Sequence, residues 1–244
     1  MKRHALLIGY SGWDIPGKKP LSGVIHDLDG YYNYLQSLNG GAWDDNEITR
    51  LYEKDLTRLR TEMIKIKAQH NDVVYVIYSG HGCYNTDKYC RELEISNNDS
   101  IYETDLSNFA SKQVLILDSC AGYYSEMINE SISIKALLER ASASEGKILA
   151  KRKFEELCNN CINQKLYFYA AKRGTTAQDT TSGGSYSQAL LRTLKSANKM
   201  MDMFEAHNIA SEIVLNETNN EQEPEYRVPK ICNFLPGNIN YKEL

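Results

Sequence analysis

No stretch of this 244-residue chain holds the roughly 20 consecutive apolar residues that a membrane-spanning helix needs. A secretory leader is missing too. After Met1-Lys2-Arg3-His4, the run Ala5-Leu6-Leu7-Ile8 is too short for one, and it reads as the first buried strand of a cytoplasmic protein. Positive charge is not in excess: 28 Lys plus Arg stand against 32 Asp plus Glu, a formal net charge of −4 without a basic stripe. That balance argues against a nucleic-acid partner. Neither G-x-G-x-x-G nor a P-loop occurs, and Gly9-Tyr10-Ser11, not an acidic pair, follows the first strand. Nucleotide binding and receiver-type phosphate chemistry are therefore disfavoured. Cys158-Asn159-Asn160-Cys161 has no second ligand pair at matching spacing, so no metal site is expected. The other cysteines, Cys83, Cys90, Cys120 and Cys232, need no disulfides in a chain without an export signal.

What remains is an ordinary globular composition, 42% hydrophobic and 25% charged, with no internal repeat. Short apolar runs alternate with helical periodicity. Ala5 to Gly9, Glu47 to Tyr52, Val73 to Ile77, Val114 to Leu117 and Leu166 to Ala171 read as strands. Between them, Val24, Leu28, Tyr31 and Leu35 mark one helix, and Leu56, Leu59, Met63 and Ile66 a second, capped by Asp55. Leu93 to Ile101 reads as a hairpin and Thr104 to Phe109 as a short helix. Helices around Ala189, Leu190 and Leu194 and over Met203 to Leu215 precede a last strand, Tyr226 to Phe234, with Pro229 at its edge. The alternation predicts one α/β domain over 1–244 with a mostly parallel sheet. Residues 1–122 and 164–244 form its two parts, and 123–163 a linker or insertion.

Two strands end in chemistry. Val73-Val74-Tyr75-Val76-Ile77 leads into Tyr78-Ser79-Gly80-His81-Gly82, and Val114-Leu115-Ile116-Leu117 leads into Asp118-Ser119-Cys120-Ala121-Gly122. In parallel sheets functional groups gather at the carboxyl ends of strands, so a histidine and a cysteine would share one edge. An imidazole that takes a thiol proton makes a nucleophile for acyl transfer. The N–H groups of Gly82 and Cys120 are the natural oxyanion donors, each worth roughly 2.7–4 kcal/mol of barrier. The bland readings are a structural histidine, a buried core thiol, and Asp118 as a helix cap.

Taken in this context, Ser79-Gly80-His81-Gly82 and Asp118-Ser119-Cys120 resemble the caspase-like cysteine peptidases, closest to metacaspases and bacterial orthocaspases. Leu21-Ser22-Gly23-Val24-Ile25-His26-Asp27 is similar to the L-x-G-C-x-N-D segment of metacaspases, departing at Val24 and His26. Tyr169-Ala170-Ala171 and Gly183-Gly184-Ser185-Tyr186-Ser187-Gln188 are similar to the small-fragment strand and helix. The resemblance implies a caspase-like three-layer sandwich around a six-stranded sheet. His81 and Cys120 would be the catalytic dyad. Asp27 and Asp118 would line a primary pocket for arginine or lysine. Asp118 stands two residues before Cys120, on the same strand face, and two carboxylates suit a cation.

Further expectations follow from the resemblance. A basic linker holding Arg140, Lys147 and Arg152 would be open to self-cleavage. The protein would cut a partner protein in a bacterial stress, cell-death or antiphage programme, with an activating partner. No cofactor is needed by the dyad. Calcium activation is implied for many metacaspases, and here Asp87, Glu92, Glu94, Asp99, Glu103 and Asp105 supply acidic density without the family's regular pattern. Because Pro229 removes a ladder donor, the resemblance to monomeric metacaspases is favoured over caspase dimers. The alternative is a catalytically silent caspase-like scaffold.

Overall fold

Three strands buried on both faces organise the chain. A computed structural model describes residues 1–122, 144–231 and 233–243. Strand β1 (Arg3–Tyr10) and, after helix α1 (Val24–Gln36), β2 (Ile48–Tyr52) and α2 (Leu56–Ala68), strand β3 (Val73–Gly80) are buried at every residue of β1 and β3. A three-stranded antiparallel ribbon follows, β4 (Gly82–Asn85), β5 (Cys90–Glu94) and β6 (Ser100–Tyr102). Next come β7 (Lys112–Asp118), α3 (Ser144–Asn159) and β8 (Gln164–Tyr169). The chain closes with β9 (Asp179–Thr180), β10 (Gly183–Gly184), α4 (Ser185–Ser196), β11 (Met201–Asp202), α5 (Met203–Glu217), β12 (Glu225–Arg227) and β13 (Pro236–Asn238).

The central sheet has six strands in the order β12-β8-β7-β3-β1-β2, all parallel except β12. Leu7 faces Ile77, Ile77 faces Ile116, and Ile116 faces Phe168 in register. The two-residue period of a strand splits its apolar residues between two cores. Leu7, Tyr75, Ile77, Ile116 and Phe168 pack with α1, α3, α4 and α5 through Leu28, Phe154, Leu190 and Val214. Leu6, Ile8, Val76, Tyr78, Leu115 and Leu117 pack with Leu59, Met63 and Ile66 of α2 and with Leu93 and Ile101 of the ribbon. This is the predicted three-layer sandwich. The Asp55 cap also forms, with Arg58 N donating to Oδ1 at 2.7 Å.

Three elements differ from the sequence expectation. The hairpin begins earlier, directly after His81, because Gly82 to Asn85 pairs with Cys90 to Leu93. The last strand stops at Arg227, short of Pro229, and pairs antiparallel with β8. The second half of the supposed linker is helix α3. Ala150, Phe154 and Cys158 recur every fourth residue and bury one face against the sheet. Lys147 and Arg152 are exposed residues of that helix. They lie in a folded helix rather than a flexible linker, and a helix must unwind before its backbone can lie extended in a cleft. Arg140 lies outside the described residues.

Candidate active site

At the carboxyl edge of β3 and β7, His81 and Cys120 line one cavity with Ser79, Gly80, Asp118 and Ser119. Their neighbourhood follows from the pairing of the two strands, whose last register pair is Ser79 with Asp118. Each strand then runs on by two residues, carrying the imidazole and the thiol beyond that pair.

The backbone of His81 is fixed from two sides. Its carbonyl accepts from Glu94 N at 3.0 Å and from the buried Tyr78 hydroxyl at 2.6 Å. The ring is 3% exposed. A hydrogen bond to the Ser11 backbone holds one ring nitrogen, while Nε2 has no partner. A donor bond from Nδ1–H to a carbonyl leaves Nε2 as the basic nitrogen. Burial, with Lys18 nearby, pushes the imidazole pKa down to about 4, so the ring is neutral at pH 7.

Cys120 is held differently. Its Sγ accepts from Ala177 N at 3.3 Å and donates to Ala177 O at 3.4 Å. Burial drives the thiol up to about 11, opposed by the Ala177 N–H and reinforced by Asp118. The resting pair is therefore thiol and imidazole rather than thiolate and imidazolium. Alkylation of Cys120 by iodoacetamide, followed by peptide mass spectrometry, should accelerate about tenfold per pH unit toward pH 11. A plateau already reached near neutral pH would mean an ion pair instead.

Gly82 and Leu93 face each other as a non-hydrogen-bonded pair, because the bond beside them runs from Glu94 N to His81 O. The Gly82 N–H consequently points out of the ribbon ladder. Two residues on, along the same edge of β4, Tyr84 N donates to Gly122 O at 3.3 Å, so that edge, with the Gly82 N–H on it, faces the Cys120 segment.

The acids divide by position. Asp118 lines the cavity, and its Oδ2 accepts from Ser187 N at 2.9 Å in the first turn of α4. Asp27 is fully buried behind it and is not part of the cavity wall. Ser79 Oγ donates to Asp27 at 2.7 Å, Gly184 N at 3.0 and 3.1 Å, and Gln188 Nε2 at 2.9 Å. These three donors, with the Gly184 N–H shared between the two oxygens, make Asp27 a strut tying α1 to β3 and α4. Burial raises both carboxyls above the usual range, and the charge of Asp118 raises Asp27 further. Asp27→Ala should destabilise the protein by about 2–4 kcal/mol, since it orphans three buried donors. Urea unfolding checks this, and a change under 1 kcal/mol would refute the strut.

Asp179 also lines the cavity. The sequence brings the loop after Ala171 to this edge without marking that residue. Its position depends on the two-residue bridge from β9 to β10, which no periodicity announces. Five of the six acids considered for calcium are engaged locally. Glu92 accepts from Asn85 and Ser100, Glu94 pairs with Lys18, Asp99 accepts from Ser96, Glu103 pairs with Arg227, and Asp105 accepts from Tyr102 N. Among the described residues, no three His, Cys, Asp or Glu side chains converge to hold an ion. No described helix is long and apolar enough to cross a membrane.

Comparison with known proteins bears on the family and the fold. The caspase domain (Peptidase_C14) matches residues 2–234. Metacaspase-1 from Saccharomyces cerevisiae, in strains YJM789 and S288c, is 30% identical over 156 residues, covering 61% of this chain and 34% of the relative. The chain thus spans about a third of the length of the curated relatives it matches. The crystal structure of caspase-1 from Spodoptera frugiperda superposes with a TM-score of 0.63 at 13% identity. That superposition covers 96% of this chain and 88% of the other, a likeness of fold.

Proposed function

Since the chain belongs to the caspase domain family of cysteine peptidases, we propose that it is an endopeptidase that cuts after arginine or lysine with His81 and Cys120 as its dyad. One observation carries this reading: a buried imidazole nitrogen without a partner and a buried thiol line the same cavity as Asp118. The chemistry runs on the chain's own groups. The S–H bond turns from the Ala177 carbonyl to Nε2, and the imidazole takes the proton as sulfur attacks the scissile carbonyl carbon. A C–S bond forms and the carbonyl electrons move to oxygen, where the N–H groups of Gly82 and Cys120 stabilise the negative charge. The imidazolium then gives its proton to the departing amine as the C–N bond breaks. Water, deprotonated by the same imidazole, hydrolyses the thioester and restores the thiol.

A cationic side chain beside Asp118 is favoured by charge, and a substrate aspartate is opposed by it. The empty cavity is about 20 Å³, room for about one water. The side chain of the substrate must therefore push aside lining side chains such as Leu21, Val24 or Gln178 as it enters. The reaction requires no cofactor; addition of calcium or of a chelator to the assay tests the activation that the resemblance implies. Cleavage of a partner protein in a bacterial stress, cell-death or antiphage programme belongs to the same proposal. So does self-processing, which at Lys147 or Arg152 would require α3 to open. Fluorogenic Arg, Lys and Asp peptides test the specificity. Turnover of Arg or Lys peptides but not Asp supports it, and preference for Asp overturns it. A chain that turns over none is the silent scaffold.

A further inference from the structure

The cavity beside Cys120 holds a second acid besides Asp118, and it is differently mounted. Asp118 leaves the end of β7, whereas Asp179 belongs to the short β9–β10 hairpin, and both line the cavity with Ser79 and Gly184. Asp179 cannot swing freely. Its Oδ2 accepts from Gly23 N at 3.3 Å, and Ser22 N–H supports it as well. A Cβ on Gly23 would stand 2.2 Å from Asp179 Oδ1 and 2.5 Å from Thr180 O, so only glycine lets the hairpin rest against the start of α1. Asp179 so accepts from backbone N–H groups and still lines the cavity, whereas Asp27 is fully buried, engaged by three donors and absent from the cavity wall. His81, 3% exposed and with Nε2 unpartnered, lines the same cavity and marks it as a place built to receive a group.

Two carboxylates on separate elements discriminate between cations. A planar guanidinium carries five N–H donors and can bridge both acids, whereas a compact ammonium is satisfied by one carboxylate and water. We propose that Asp179 is the second anchor of the primary pocket and that it selects arginine over lysine. This rests on the reading of the cleft as one for basic residues. Burial, the charge of Asp118 and the opposing influence of Lys19 and the Gly23 and Ser22 N–H groups set its pKa at about 6, which leaves it ionised at pH 7.5.

The test compares the full chain and Asp179→Asn on two peptides that differ only in Arg or Lys at the cleaved position. Agmatine and cadaverine serve as competitive guanidinium and ammonium probes. The wild type should prefer Arg, and Asp179→Asn should raise KM for the Arg peptide about 10–100-fold and weaken agmatine alike. The Lys peptide and cadaverine should change only a few-fold, so that the preference disappears. Equal losses on both peptides, or an unchanged Arg-to-Lys ratio, would make Asp179 a loop strut only and overturn the proposal. If the variant fails to fold, the wild type still decides, because equal inhibition by agmatine and cadaverine refutes the anchor. Wild type that cuts neither peptide defeats the underlying reading as well, a separable result.

Discussion

Cys120→Ala is expected to lower kcat/KM on an Arg peptide by about 10⁴–10⁶-fold while leaving the fold intact. The side chain lies against Ala177 and in the cavity, 6% exposed, so losing one sulfur removes the nucleophile and little packing. His81→Ala should cost nearly as much. Without a base, a thiol whose pKa is about 11 supplies only about one thiolate in ten thousand at pH 7. The double variant should be scarcely worse than either single one, because the two groups act in one proton transfer. Additive losses would mean that His81 acts elsewhere. Steady-state kinetics at matched circular dichroism spectra settles the point.

The second large effect needs no change to either reacting group. Gly12 has φ of +76°, and a Cβ built there would stand 2.6 Å from His81 Cδ2 and 2.7 Å from Nε2. The ring has nowhere to retreat: Ser11 holds its other nitrogen, and its own backbone is pinned by Glu94 and Tyr78. Gly12→Ala is therefore expected to push the imidazole out of line and lower kcat about 100-fold, the scale of a 1 Å misplacement. The strained left-handed alanine adds only about 1 kcal/mol of destabilisation. KM should barely move, since the His81 ring that the new methyl displaces is not one of the groups that hold the substrate side chain. Full activity in Gly12→Ala would show that the ring does not need its present seat.

How much of this was legible beforehand depends on the range of the interaction. Strands β1, β3 and β7 were readable because they are buried on both faces and so carry continuous apolar runs. Helix α2 was readable because a cap and an apolar stripe are both local signals. His81 and Cys120 could be placed together once two strands were seen to end in them. The strut role of Asp27 was hidden, because its donors lie 52, 157 and 161 residues away. Asp179 was hidden for the same reason, its hydrogen bond to Gly23 spanning 156 residues. Helix α3 was obscured by its charged face: Lys147, Lys151, Arg152 and Lys153 read as a basic linker, while Ala150, Phe154 and Cys158 were the residues that mattered.

The most direct trial of the dyad uses an arginyl chloromethyl ketone, with the adduct mapped by peptide mass spectrometry. One label on Cys120 is expected, slowed at least 100-fold in His81→Ala and competed by an Arg peptide. Labelling of Cys83 or another thiol at equal rate, indifferent to His81, would contradict a nucleophile activated in a cleft for basic residues.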